Sequence, residues 1–231
     1  MTASEADSSS KGDEVQFHKN GRTIAVTGKG GTGKTMLATL MIKILAESGN
    51  LKILAVDADS AMSLPYTLGM KVGKTVGEIR QEIIENPEVK RKIADEHIRT
   101  VMANILEPGK GFDLLVMGRP EAPGCFCTVN DLLRYGIETL SQDYDVTIID
   151  GEAGPEQVNR RVIQSIDTLL VVADTSTRSL QTASAILKVA QAYGNIKVGR
   201  TSLIINRFKG RKGSAKEVTP QMGSEILGYI P

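Results

Sequence analysis

Gly28-Lys29-Gly30-Gly31-Thr32-Gly33-Lys34-Thr35 fits the phosphate-binding pattern G-x-x-x-x-G-K-[ST] at every fixed position. Thr23 to Thr27 ahead of it reads as a short buried strand, and Met36 to Ala46 behind it as a helix with apolar residues at helical spacing. A polyphosphate needs many N–H donors around it. Gly30, Gly31 and Gly33 let the backbone come close, and a helix beginning at Lys34 aims its unpaired N–H groups and positive dipole end at the anion. Lys34 supplies a point charge for the β/γ oxygens, and Thr35 a hydroxyl ligand for Mg²⁺. The expected fold is α/β: a single phosphate-loop domain with a mostly parallel sheet flanked by helices on both faces.

The totals agree with such a domain. The chain has 231 residues, 41% hydrophobic and 24% charged, with a formal net charge of +1. That is enough for one sizeable core, and the near-zero balance argues against a nucleic-acid partner. No apolar run approaches the roughly 20 residues of a membrane span, so no membrane partner is expected. The two cysteines are separated by one residue, too close for an unstrained bridge, which suggests a reducing, cytoplasmic setting. Residues 1–21 are polar and read as a disordered tail, leaving 22–231 as the domain.

Further chemistry falls where open parallel sheets collect it, at the carboxyl ends of strands. Leu51 to Val56 reads as the second strand and runs into Asp57-Ala58-Asp59, two acids suited to metal and water positioning or to capping a turn. Thr75 to Thr100 reads as two helices broken at Asn86-Pro87, and Phe112 to Met117 as the next strand. Tyr144 to Ile149 is a near-continuous apolar strand ending in Asp150-Gly151-Glu152-Ala153-Gly154, the Walker B arrangement, with Asp150 on the Mg²⁺ shell. Thr168 to Ala173 and Thr201 to Ile205 read as two more strands, with a helix over Ser179 to Ala192 between them. Asn206 follows the last of these and either pairs with a purine edge or caps the strand. A guanine reader would want a carboxylate at the position of Lys209, so ATP is favoured over GTP.

Gly118 to Thr128 is a Pro/Gly-rich loop carrying Cys125 and Cys127, and Thr128 to Asp131 has the form of a helix start. At the mouth of a helix thiolate is favoured over thiol. Two thiolates can hold one soft metal ion but complete only half of a four-thiolate shell, which a second copy of the chain would finish. The plainer reading is a pair of small semi-buried apolar residues.

The run K-G-G-x-x-G-K-T, with Lys29 as a second lysine inside the loop, resembles the deviant Walker A loop of the MinD/ParA/iron-protein ATPases. Asp57-Ala58-Asp59, Gly124-Cys125-Phe126-Cys127, Asp150-x-Glu152-Ala153-Gly154 and Ile204-Ile205-Asn206-Arg207 narrow the resemblance to CooC-type ATPases, nickel-insertion accessory proteins of carbon monoxide dehydrogenase. The resemblance implies a homodimer that closes on ATP. By the same resemblance Lys29 reaches the partner's nucleotide, Asp57 joins the Mg²⁺ shell, Asp59 orients or deprotonates the attacking water, and the Gly154 backbone senses the γ-phosphate. The nucleotide contacts then run from Gly28 to Met36, with Gly154, Asn206 and Arg207. Cys125 and Cys127 of both copies share Ni²⁺ or, competitively, Zn²⁺, which slow hydrolysis releases to carbon monoxide dehydrogenase or acetyl-CoA synthase. Two rivals share much of this machinery: a MinD/ParA spatial positioning switch, and an iron–sulfur carrier or electron donor that resembles the nitrogenase iron protein. The chain stops at Gly228-Tyr229-Ile230-Pro231, whereas family members continue through another helix, so a shortened C-terminus and an incomplete base pocket are expected.

Overall fold

The computed structural model describes residues 21–88, 98–119, 127–154, 165–192, 197–210 and 224–231. The tail over 1–20, residues 89–97 of the Thr75–Thr100 segment, and Cys125 lie outside the described residues.

The first βα unit sets the frame. Strand β1 (Arg22–Gly28) enters the phosphate loop, and helix α1 (Lys34–Ser48) leaves it. Gly49 ends α1 in the left-handed conformation, its N–H returning to the Ala46 carbonyl. Strand β2 (Ile53–Ala58) is buried throughout, as a central parallel strand should be. Helix α2 (Ser63–Leu68) and helix α3 (Val76–Glu85) follow. Thr75 and Glu78 form a reciprocal capping box that starts α3. Helix α4 (Ile98–Ala103) leads to strands β3 (Glu107–Pro108) and β4 (Asp113–Val116). Helix α5 (Cys127–Leu140), strand β5 (Val146–Ala153), strand β6 (Ser165–Ala173), helix α6 (Thr177–Ala192), strand β7 (Lys197–Ile205) and strand β8 (Glu225–Tyr229) complete the described chain.

The eight strands form one sheet in the order β3-β4-β2-β5-β1-β6-β7-β8. Every pairing is parallel except that of β3 with β4. Alternation along the strands divides the core between the two faces. Val26, Ala55, Ile148 and Val172 pack under α1 and α2, while Ala25, Val56, Ile149 and Val171 pack with α3 to α6. The α/β doubly covered sheet expected from the sequence is therefore present.

Several elements differ from the sequence reading. Strand β5 does not stop at Ile149 but carries Asp150 inside the ladder and continues to Ala153. Its register against β1 shifts between Val26↔Asp150 and Gly28↔Ala153, a bulge that accommodates the extra residue beside the loop. Helix α5 begins at Cys127, just ahead of the expected Thr128. Short elements α2, β3 and β8 were not marked by any pattern: α2 contains Pro65 and β3 contains Pro108, residues that weaken both propensities.

Candidate functional site

The loop is shaped by two glycines that no other residue could replace. Gly28 has φ 150°, and a Cβ there would strike the Val172 carbonyl of the neighbouring strand. Gly33, at φ 95°, faces the Asn206 side-chain nitrogen so closely that a Cβ would collide with it. Between them the turn is closed by Thr32, whose buried hydroxyl donates to the Lys29 carbonyl at 2.8 Å. Gly33 caps α1 without any side-chain bond to the first-turn N–H groups, and the first turn carries no acid. Those donors are left open for an anion.

Lys34 is 93% buried at the head of α1, from its 7% relative exposure. Burial lowers its pKa, and Asp150, Asp59 and Glu152 oppose that shift in turn, which places three carboxylates in its field. Asp57 and Asp150 are Cα partners on β2 and β5, and neither is exposed to solvent. Burial pushes the Asp57 carboxyl up to about 7, although N–H bonds from Asp59 and Leu64 at 3.0 Å pull it down and the charge of Asp150 adds to the rise. Burial likewise pushes Asp150 up to about 6 against the nearby Thr35 hydroxyl and Lys34. By hydrogen-bond geometry, however, neither Asp150 oxygen has a partner. A buried carboxylate with both oxygens unanswered, beside a threonine hydroxyl, suits a hydrated Mg²⁺ held mainly by phosphate oxygens. Among the described residues no three His, Cys, Asp or Glu side chains cluster as a metal site.

Asp59 lies on the turn after β2, where its carboxylate accepts from the Ala61 N–H at 2.9 Å. The bulged end of β5 comes back to the loop, for the Gly154 N–H donates to the Gly28 carbonyl at 3.1 Å. At the end of β7, the Asn206 Nδ2 donates to the Thr32 carbonyl at 2.7 Å, and its Oδ1 accepts from the Arg207 N–H at 2.9 Å. Arg207 itself adopts φ 54°.

The structure thus brings together Gly28 to Thr35, Asp57, Asp59, Asp150, Gly154 and Asn206 at the carboxyl end of the sheet. Met36 is 56% exposed on the outer side of α1, and Lys29 is half-buried. Cys125 lies outside the described residues, and of Cys127 only its backbone place at the start of α5 is described. Asp174, at the end of β6, was missed by sequence reasoning. Against the effect of burial, Ser176 holds its carboxyl below the usual range, and Lys29 and Arg207 add to that. An acid directly after the apolar run Thr168 to Ala173 was the available signal.

A family model described as the CobQ/CobB/MinD/ParA nucleotide binding domain matches residues 23–231. The chain is 41% identical over 213 residues to an uncharacterised ATP-binding protein of Methanocaldococcus jannaschii, covering 90% of this chain and 83% of that protein. It is 29% identical over 184 residues to the carbon monoxide dehydrogenase accessory protein CooC of Rhodospirillum rubrum, covering 74% of this chain and 70% of that protein. Among solved structures, a ParA family ATPase from Chlorobium tepidum superposes with a TM-score of 0.67 at 21% identity, covering 92% of this chain and 84% of that one.

Proposed function

Because the chain belongs to the CobQ/CobB/MinD/ParA nucleotide-binding family, we propose that it is a slow, switch-like ATPase whose homodimer carries nickel to a client enzyme. The observation that carries the ATPase part is the meeting of the uncapped α1 N-terminus, buried Lys34 and the unpartnered Asp150 carboxylate at one end of the sheet. The α1 and loop N–H groups hold the β- and γ-phosphates, and Lys34 places its charge between them. Mg²⁺, when bound with the nucleotide, neutralises charge that builds on the phosphate oxygens. Thr35 and Asp150 would hold that ion, with Asp57 joining its shell. Asp59 accepts a hydrogen bond from the attacking water and fixes its line of approach. Lys29 reaches across the dimer to the partner's nucleotide.

The nickel part of the proposal is supported by Cys125-Phe126-Cys127 and by the likeness to CooC, an accessory protein of carbon monoxide dehydrogenase. Two cysteines from each copy make a four-thiolate shell for Ni²⁺ or Zn²⁺. Carbon monoxide dehydrogenase or acetyl-CoA synthase is the proposed client. The breadth of the family favours a second reading, in which the same ATP-driven dimer is a MinD/ParA-type positioning switch and the cysteines are incidental.

Metal analysis of anaerobically purified full-length chain, with and without ATP, separates the two. The expected result is one ion shared by a pair of chains, lost in the Cys125→Ala/Cys127→Ala double variant while ATP binding persists. Metal retained by that variant, or a metal-free parent with nickel in excess, would count against delivery and for the positioning switch. A brown anaerobic protein with broad visible absorption would point to an iron–sulfur cluster.

A further inference from the structure

We propose that Asn206 is a positioning residue that braces the phosphate loop from across the sheet, in addition to any contact it makes with the base. The consequence for nucleotide binding rests on the ATPase reading above; the brace itself does not.

The side chain is held at both ends. Strand β7 ends with the Asn206 N–H donating to the Ala173 carbonyl at 2.7 Å, so the residue's backbone is fixed to β6. The Arg207 N–H then donates to Asn206 Oδ1 at 2.9 Å, which sets the plane of the amide. With that plane set, Nδ2 donates to the Thr32 carbonyl at 2.7 Å, across 174 residues of sequence. The Thr32 carbonyl belongs to the peptide whose N–H is that of Gly33. In a planar trans peptide the two groups point in opposite directions. Holding the Thr32 carbonyl toward β7 therefore turns the Gly33 N–H to the other side and keeps it there. Gly33 must be glycine partly because of this contact, since its missing Cβ is where the amide nitrogen sits.

A primary amide has two N–H donors and two acceptor lone pairs. Thr32 and Arg207 engage one of each, which leaves one donor and one lone pair for a purine edge. One planar group then links base and loop: a base that orients the amide also steadies the Thr32–Gly33 peptide.

Hydrogen exchange of the loop amides in nucleotide-free protein tests the brace without any ligand. Asn206→Ala and Asn206→Asp are each expected to raise exchange across residues 28–36 by about fivefold, the worth of one net hydrogen bond, with the melting curve of the rest of the fold retained. Unchanged loop exchange in both variants would overturn the proposal. The second measurement compares Mg²⁺-ATP with Mg²⁺-tripolyphosphate, which has no base. Loss of affinity for both probes supports a brace; loss for ATP alone assigns Asn206 to base reading only and overturns it. A parent chain that bound neither probe would refute the ATPase reading and leave the exchange result to decide the brace.

Discussion

Asp57 and Asp150 stand side by side on neighbouring parallel strands, both fully buried, and only Asp57 is hydrogen-bonded. Two carboxylates so placed resist ionising together, and a divalent cation is the natural means of relieving them.

This relationship predicts the pH dependence of stability. The folded-state pKa values, about 7 for Asp57 and about 6 for Asp150, lie above the ordinary 3.8. The folded chain therefore binds more protons than the unfolded one between those limits, so the stability these groups confer is complete below about pH 4 and is lost as pH rises through 6 to 7. Thermal melts of ligand-free protein should show a higher Tm at pH 5.5 than at pH 8. Asp150→Asn should flatten that slope and stabilise the apo protein at pH 8 by on the order of 1–3 kcal/mol. A variant with the parent's pH profile would acquit Asp150 as its source.

Lys34→Met removes the buried charge while keeping much of the side-chain volume. The fold should survive, because burial already disfavours the ammonium. ATP affinity should fall by roughly 10- to 100-fold, the worth of charge-assisted hydrogen bonds, and nucleotide-driven dimerisation should go with it. Calorimetry and light scattering read both, and undiminished ATP affinity would mean that the phosphates sit elsewhere.

Asp59→Asn retains an oxygen for the Ala61 N–H but loses the charged acceptor for water. Turnover should drop by about 100-fold or more, with ATP still bound and the dimer trapped closed. Phosphate release at the parent's rate would show that another group orients the water.

The sequence made the loop legible because its chemistry is local: the glycines, Lys34 and Thr35 are consecutive, and the strand and helix beside them have clear periods. Asp57, Asp59 and Asp150 were legible as acids after apolar runs. The pairing of Asp57 with Asp150 was not, because it depends on β5 lying between β2 and β1, a fact of topology. The bulge between Asp150 and Ala153 was hidden for a similar reason, since it exists only relative to the Val26–Gly28 stretch it opposes. The attachment of Asn206 to Thr32 spans most of the chain and leaves no local pattern. Asp174 could have been found by the strand-end rule that found the others.

The loop-bearing strand β1 lies fifth from the β3 border and fourth from the β8 border, with β5 and β6 as its flanks. Damage at the β3 margin is thus separated from the nucleotide cradle by intact strands, whereas β8 adjoins β7, whose end carries Asn206. Reporter groups or affinity tags placed on β3 should leave the chemistry untouched, whereas the same insertion beside β1 would have no buffer at all.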